Sequence, residues 1–192
     1  KKPPVTVTFY ENPHGVLEGN PFEEGYYLST AWAPSGSGAV TFNNFMKLFD
    51  AKTVADGMDL LGRVETSWNF VLADHDGHIG YQMSGLMPKR REGVSGFVPL
   101  PGWEAKNDWQ GFVDPRDLPR CYDPACGYIV TANQNLNDLG KVAPINVGMG
   151  PYRSDRIGGL LEKETAITPQ TMFRLQYDVY STQAEVFMAI LS

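Results

Sequence analysis

Asn133 stands at the end of a run of strand-forming residues, where its side-chain amide could act on a reacting group. The run 127–133 includes Tyr128, Ile129 and Val130, which favour β-structure, so it predicts a buried strand with Asn133 at its exit. A neutral N–H donor at that place suits the stabilisation of a developing oxyanion. The same pattern also fits a plain turn, because asparagine tolerates left-handed backbone and hydrogen-bonds to its own chain.

Two arginines follow in the stretch Tyr152-Arg153-Ser154-Asp155-Arg156. The apolar residues after it predict a helix that opens with this stretch. A guanidinium held near the Asn133 amide would add positive charge to an oxyanion site. No serine has the Gly-x-Ser-x-Gly setting of a nucleophile elbow. His14 lies in Asn-Pro-His-Gly, a turn composition with no obvious nucleophile nearby.

The strands that would position these residues can be predicted from alternating or continuous apolar runs. The clearest is a β-hairpin in which residues 68–73 and 78–83 are joined by the turn Asp74-His75-Asp76-Gly77. Two further strands are predicted at residues 5–9 and 26–32. Residues 85–124 are rich in Pro, Gly and Trp and predict an ordered loop with little regular structure.

Helical periodicity predicts helices on both sides of this region. Thr41 and Thr53 are predicted to begin two helices, and Thr168-Pro169 begins another near the end of the chain. The inward-facing residues of these helices are predicted to be Phe42, Phe45, Met46 and Phe49; Val54, Met58 and Leu61; Ile157, Leu160 and Leu161; Met172, Leu175 and Val179; and Val186, Phe187, Ile190 and Leu191.

Composition excludes several classes of function. The chain has 192 residues, 42% of them hydrophobic and 12% aromatic, which is enough for a packed core. Its net charge is −6, from 16 basic and 22 acidic residues, and this argues against nucleic acid or an anionic membrane as a partner. No apolar run reaches the length of a membrane span.

The order of several motifs resembles the penicillin acylase (penicillin amidase) family. The motifs are Trp68-Asn69-Phe70-Val71-Leu72-Ala73-Asp74, Gly77-His78-Ile79-Gly80-Tyr81, Gly85 with Pro88 and Arg90, Leu100-Pro101-Gly102-Trp103, Trp109 with Gly111, Leu118-Pro119-Arg120, Asp123-Pro124, Gly127-Tyr128-Ile129-Val130-Thr131-Ala132-Asn133, and Tyr152-Arg153 with Asp155-Arg156-Ile157. The resemblance is strong from Trp68 to about Leu161 and looser upstream through His14-Gly15.

The resemblance implies an α+β fold, as part of the αββα sandwich of the N-terminal nucleophile hydrolases. In that family a precursor is cut autocatalytically, and the new N-terminal serine of the large subunit attacks an amide with its own α-amino group as base. By this resemblance Asn133 is the oxyanion-hole asparagine and Arg156 is the arginine that helps to order the site. The substrate would be a small N-acyl amide, and the protein would be periplasmic or extracellular.

The chain also departs from the family pattern. It begins at Lys1 rather than at serine, so we expect residues 1–192 to be one internal fragment of the large subunit, inactive without the rest of that subunit and the small subunit. The family often binds a structural calcium ion, but no carboxylate matches the expected ligand position; Asn146 and Asp138 are the nearest polar residues. No cofactor is identified.

Three other interpretations remain open. In a secreted chain, Cys121 and Cys126 would close a small disulfide loop. The crowded turn Asp74-His75-Asp76-Gly77 could suggest metal binding, but an EF-hand would require Glu where Gly85 stands, and the composition favours a polar hairpin turn. The alternative function is a non-catalytic binding module that uses the Pro/Trp-rich loop at residues 99–109.

Overall fold

A three-stranded antiparallel sheet lies at the centre of the computed structural model, which describes residues 3–144 and 147–191. Strand β3 (Asn69–Ala73) pairs with β4 (Ile79–Met83), which pairs in turn with β5 (Arg120–Tyr122). The predicted β3–β4 hairpin is confirmed. Strand β5 was not predicted, because three residues within a Pro- and Gly-rich stretch carry no alternating pattern. The rest of that stretch has two short 3₁₀ turns, Ala105–Asn107 and Pro115–Asp117, and one isolated bridge between Pro88 and Phe112.

A small hairpin precedes this sheet in the chain; its strands, β1 (Glu11–Asn12) and β2 (Gly15–Val16), have two residues each. The helices α1 (Ala39–Leu48) and α2 (Val54–Leu61) follow it. After the sheet come a 3₁₀ turn (Asn137–Leu139) and the helices α3 (Tyr152–Leu161), α4 (Pro169–Gln176) and α5 (Thr182–Leu191). The chain is therefore α+β, as the sequence predicted.

The core forms where α2 packs on the sheet. Thr53 caps α2 in a reciprocal capping box with Asp56, which satisfies backbone N–H groups that the first turn leaves unpaired. The predicted inward face is buried: Val54 and Met58 are 1% exposed and Leu61 is 3% exposed. Gly80 of β4 lies so close to the helix that a Cβ there would be 2.4 Å from a Val54 methyl carbon.

Three predicted strands are absent from the part of the chain that the structure describes. Residues 5–9 and 127–133 join no β-ladder, and residues 26–32 contribute only one bridge, between Leu17 and Ser29. A strand needs a neighbouring strand to take up its backbone hydrogen bonds. The described residues supply none here, so β-forming side chains alone do not produce a sheet.

Helix α1 differs from its prediction in two ways. Its N-cap is Gly38, and the predicted cap Thr41 lies in the first turn, where it bonds to Glu65. The predicted inward stripe is exposed, with Phe42 at 69% and Phe49 at 82%, and only Phe45 makes an edge-to-face contact with Phe70. Periodicity correctly predicted a helix, but it did not show that the apolar face would find a surface to cover it.

Helices α3 and α4 begin where the sequence predicted, but the predicted inward faces of α4 and α5 are largely exposed. Thr168 caps α4 through a capping box with Thr171, as its position before a proline predicted. Helix α3 opens at Tyr152, and the hydroxyl of Thr182 in α5 donates to the Tyr152 carbonyl at 3.0 Å. The assignment of Val179 to the inward face was wrong, because α4 ends before it and Val179 is 94% exposed. The stripe of α5 is exposed as well.

The chain leaves much of its apolar surface uncovered. Its accessible area is 14022 Å², whereas a compact monomer of this length has about 9,000 Å². Most of the buried apolar side chains of the described residues therefore lie between α2 and the sheet. None of the described helices combines the length and the apolar character that crossing a bilayer requires.

Candidate active site

Asn133 lies in a left-handed turn at the end of an extended segment. Its φ angle is +66°, a region that asparagine enters more readily than most residues. The side chain of Gln134 holds the turn, because its Oε1 accepts the Ala132 N–H at 2.6 Å and its Nε2 donates to the Val130 carbonyl at 2.7 Å. The segment before Asn133 is half-buried and Asn133 itself is exposed, so the turn presents the amide outward.

The stretch before α3 lies alongside this turn. The backbone N–H of Met149 donates to the Asn133 carbonyl at 2.8 Å. Gly148 packs against Asn135, with the position of a Cβ only 3.3 Å from the Asn135 backbone nitrogen. The start of α3 is thereby carried to the Asn133 turn, although the two are well separated in sequence.

Arg153, in the first turn of α3, contacts Asn133 directly. Its Nη2 atom donates to Asn133 Oδ1 at 2.6 Å and to the Ala132 carbonyl at 2.8 Å. The sulfur of Met149 is 3.6 Å from the same nitrogen. Asn133 Nδ2 donates to no atom of residues 3–144 or 147–191. The amide therefore has its oxygen bound to the arginine and its N–H donors available to another group.

Arg156 lies one turn later and has different partners. Its Nε donates to Asp178 Oδ2 at 2.6 Å and its Nη2 to Asp178 Oδ1 at 3.3 Å, and its guanidinium lies 4.5 Å from the ring centre of Tyr180. The hydrogen bond with Asp178 raises the pKa of Arg156, and the bond from Arg156 holds the pKa of Asp178 below its usual value. Arg156 thus ties α3 to the segment that follows α4.

A cavity of about 700 Å³ lies between residues 128–135 and α3, and neither Asn133 nor Arg153 is among its lining residues. Its walls combine apolar and polar groups, and two of the lining residues, Tyr128 and Glu162, share a 3.1 Å hydrogen bond. The lining residues include Tyr128, Val130, Gln134, Met149, Ser154 and Glu162.

The described residues do not fit a metal site. No group of three or more His, Cys, Asp or Glu side chains in residues 3–144 and 147–191 could hold a metal ion. Asp74 instead accepts backbone N–H groups of Val54, Asp76 and His78, which shapes the hairpin turn. Of the two polar residues considered for calcium, Asp138 is exposed in a 3₁₀ turn, and Asn146 lies outside the described residues.

The two cysteines are unbonded in the structure, so the predicted disulfide is not formed. Cys121 is held in β5 opposite Tyr81, and burial raises the pKa of its thiol. Cys126 is exposed, and its Sγ contacts the Tyr128 carbonyl at 3.2 Å.

The loop at residues 99–109 is ordered by contacts on both sides. His14 Nε2 lies 2.9 Å from Asp108 Oδ1, which joins the loop to the β1–β2 hairpin. Trp103 packs against Tyr26, while Trp109 packs edge-on against Phe112. Trp103 nevertheless remains 74% exposed.

Sequence reasoning missed the two side chains that hold Asn133 in place. Arg153 was noted within its motif, but the supporting role was given to Arg156. Gln134 was not considered, although an amide directly after an asparagine in a turn is suited to bracket that turn. The structure brings Asn133 together with Arg153 and Gln134, and it joins Arg156 to Asp178.

A sequence profile of the penicillin amidase family matches residues 1–191. An acyl-homoserine lactone acylase of Pseudomonas aeruginosa, QuiP, is 32% identical over 202 residues, which cover 98% of this chain and 23% of that protein. The penicillin acylase 2 proenzyme of a Pseudomonas species is 33% identical over 186 residues, covering 94% of this chain and 24% of the proenzyme. The chain thus spans about a quarter of the length of these relatives.

The fold matches that of a thermostable penicillin G acylase from Alcaligenes faecalis. The TM-score is 0.76 at 19% sequence identity, over 88% of this chain and 30% of the acylase chain. At this identity the likeness concerns the fold alone. The α+β arrangement described above is therefore part of the acylase architecture.

Proposed function

Because the chain belongs to the penicillin amidase family, we propose that it is part of an amide hydrolase in which Asn133 stabilises the oxyanion of acyl transfer. Attack on an amide carbonyl converts its oxygen into an oxyanion. A donor preplaced at that oxygen lowers the barrier, because it binds the transition state more strongly than the substrate.

The observation that carries this proposal is the presentation of the Asn133 amide. Its oxygen is bound by Arg153, its backbone is held in a left-handed turn, and its Nδ2 is available on an exposed surface. A donor fixed in this way needs little reorganisation when charge develops. A residue that served only as a turn would not need a guanidinium on its side chain.

Arg156 supports the site indirectly in this proposal. Its two-point pair with Asp178 holds α3 against the segment after α4, and α3 carries the arginine that contacts Asn133. Loss of Arg156 would therefore loosen the helix that organises the oxyanion site.

The nucleophile in this proposal is an N-terminal serine of the intact protein, activated by its own α-amino group after cleavage of a zymogen precursor. The remaining large-subunit segment and the small subunit are the partners that complete the site. We expect the 192-residue chain by itself to be inactive, because donors without a nucleophile leave only residual catalysis.

The proposed substrates are linear N-acyl amides. The relatives are named for two such classes, acyl-homoserine lactones and penicillins. The cavity between residues 128–135 and α3 is not lined by Asn133, so the proposed substrate class rests on the family and not on this cavity. We place the protein in the periplasm or outside the cell by family resemblance; cell fractionation with periplasmic and cytoplasmic markers tests this location.

The alternative of a binding module rests on the exposed Trp103 in the loop at residues 99–109. No further contact of that loop favours it, and the match to an enzyme family over residues 1–191 weighs against it.

The test is turnover by the intact, processed protein. Chromogenic phenylacetyl anilide, a penicillin and N-acyl-homoserine lactones should be assayed with the intact protein and with the purified 192-residue chain. We expect the intact protein to release the acyl group from at least one class, and a serine-directed reagent to abolish that release. The proposal would be overturned if the intact protein turned over none of the three substrate classes. It would also be overturned if the isolated chain showed turnover that the serine-directed reagent abolished.

A further inference from the structure

A second cavity, of about 260 Å³, is lined by residues of α2, β4, β5 and the 3₁₀ turn Pro115–Asp117. Three arginines and two carboxylates are among its lining residues: Arg63, Arg116, Arg120, Asp59 and Asp114. We propose that this arginine cavity binds a small tetrahedral oxyanion, of the phosphate or sulfate class. The proposal does not depend on the role proposed for Asn133.

Part of the wall of the arginine cavity belongs to the packed core. Met58 and Gln82 both line it, and each is 1% exposed. Gln82 Nε2 donates to the Pro115 carbonyl at 3.1 Å and to the Met83 carbonyl at 2.7 Å, so the sheet holds the turn that carries Arg116. The arginines are therefore anchored on a fixed frame, and an anion would not have to order a loop in order to bind.

Asp59 is the counter-charge that the three arginines share. Its carboxylate accepts Arg116 Nη2 at 2.8 Å and Arg116 Nε at 3.4 Å, and Arg120 Nη1 lies 3.9 Å from it. The hydrogen bond from Arg116 holds the pKa of Asp59 below its usual value, and the charges of all three arginines act in the same direction. One carboxylate thus faces three guanidinium groups.

Two of these guanidinium groups have donors to spare. The Arg120 side chain is 29% exposed, and 3.9 Å to Asp59 is too long for a hydrogen bond. The Arg63 guanidinium donates no hydrogen bond within the part of the chain that the structure describes. Asp114 also lines the cavity, where its Oδ1 accepts the Arg116 backbone N–H at 2.8 Å. Three guanidinium groups against two carboxylates leave one excess positive charge, in a chain whose net charge is −6.

These features favour an oxyanion over a cation or an apolar ligand. A guanidinium has donors and no acceptor, and its planar fork matches the oxygen atoms of phosphate or sulfate. Salt screens the charge of a partly buried group such as Arg120 less than that of a fully exposed one. A bound anion would join α2, the 3₁₀ turn and β5, and would offset the repulsion among the three cations. We therefore expect it to stabilise the folded protein.

Thermal unfolding of the intact, processed protein in phosphate tests the proposal, with sodium chloride at equal ionic strength as the reference. We expect Tm to rise with the logarithm of the phosphate concentration once that concentration exceeds Kd, and we expect sulfate to act in the same way. A Tm that rises no further in phosphate and sulfate than in chloride would overturn the proposal.

Calorimetric titration of variants with phosphate then locates the site. Arg63→Gln and Arg120→Gln should each weaken binding by about tenfold, because each removes a hydrogen bond between charged groups. Asp59→Asn should strengthen binding, because it removes the negative charge that competes with the anion. Arg174→Gln is the matched control: it removes an exposed arginine paired with Glu164 and should leave the phosphate affinity unchanged.

Two results of this titration would contradict the proposal. If Arg63→Gln and Arg120→Gln bind phosphate as tightly as the wild type, the anion binds at another place. If Arg174→Gln weakens binding equally, net charge and not the arginine cavity governs the affinity. Arg63 is exposed and follows the end of α2, so Arg63→Gln provides the comparison if Arg120→Gln does not fold.

Discussion

Three hydrogen bonds join Thr41 and Glu65, including one from the Thr41 backbone N–H to Glu65 Oε2 at 3.2 Å. The backbone N–H of Glu65 donates to Thr41 Oγ1 at 2.9 Å, and the Thr41 hydroxyl donates to Glu65 Oε2 at 3.0 Å. The same carboxylate oxygen accepts the backbone N–H of Gly38 at 2.7 Å. Glu65 thus caps α1 from a distant part of the chain, in place of the local cap that the sequence predicted.

Glu65→Gln should destabilise the protein by about 1 kcal/mol at neutral pH, because hydrogen bonds to a charged acceptor are stronger than those to a neutral one. Burial works to raise the pKa of Glu65, but hydrogen bonds from Gly38 and Thr41 outweigh it and hold the pKa below 4.5. A lowered pKa means that this stabilisation is present above about pH 4.5 and is lost as the pH falls through the folded-state value.

Denaturant unfolding of the intact protein across this pH range measures the effect. The difference between wild type and Glu65→Gln should shrink as the solution becomes acidic. Glu18→Gln, at an exposed glutamate, is the control and should be nearly neutral. A difference that is independent of pH would show that the charge of Glu65 is not the cause.

Gly80→Ala should destabilise the protein by about 1–3 kcal/mol, because the new Cβ would overlap Val54 and Met58 of α2. It would lie 2.4 Å from Val54 Cγ1 and 2.6 Å from Met58 Sδ. Gly159→Ala is the matched comparison: it lies inside α3 with no atom near a new Cβ, and it should stabilise by about 0.4–1 kcal/mol. Thermal unfolding gives both values, and equal effects of the two changes would refute the close approach of α2.

Asn133→Ala in the intact enzyme should lower kcat by about 10²–10³ and change KM far less, because the donor acts on charge that develops in the transition state. Asn133→Asp should be at least as harmful, since it presents negative charge to the oxyanion. Asn20→Ala, which removes an amide bonded to Glu23 in a remote loop, serves as the control. If a folded, processed Asn133→Ala enzyme kept the wild-type kcat, Asn133 would have no catalytic role and would serve only to form the turn.

His78 should titrate above its ordinary pKa of 6.5, because Asp123 Oδ2 lies 2.5 Å from its Nδ1 and stabilises the charged ring. The raised pKa means that the pair contributes fully below about pH 6.5 and that its contribution is lost as the pH rises through the folded-state value. NMR titration of the His78 ring checks this. Asp123→Asn should lower the pKa of His78. Asp108→Asn is the control: it removes the carboxylate partner of His14 and should leave the pKa of His78 unchanged. A His78 pKa that does not respond to Asp123→Asn would contradict the pairing.

Local features of the fold were predictable where one short segment contains all that decides the outcome. The Thr53 and Thr168 caps and the β3–β4 hairpin are of this kind, because their partners lie close by in the sequence. The turn at Asn133 also follows from local chemistry, since asparagine tolerates the left-handed conformation found there.

The sequence by itself determined α2 with its cap, the β3–β4 hairpin, the family resemblance and the turn at Asn133. The tertiary structure decided which side chains pair with one another. Only the chain path shows that Arg153 contacts Asn133 while Arg156 pairs with Asp178, and that Glu65 caps α1. The physical reason is range. Helical periods and turn preferences act over a few residues, whereas β-pairing, burial of an apolar stripe and the choice of a salt-bridge partner depend on surfaces that meet through the fold.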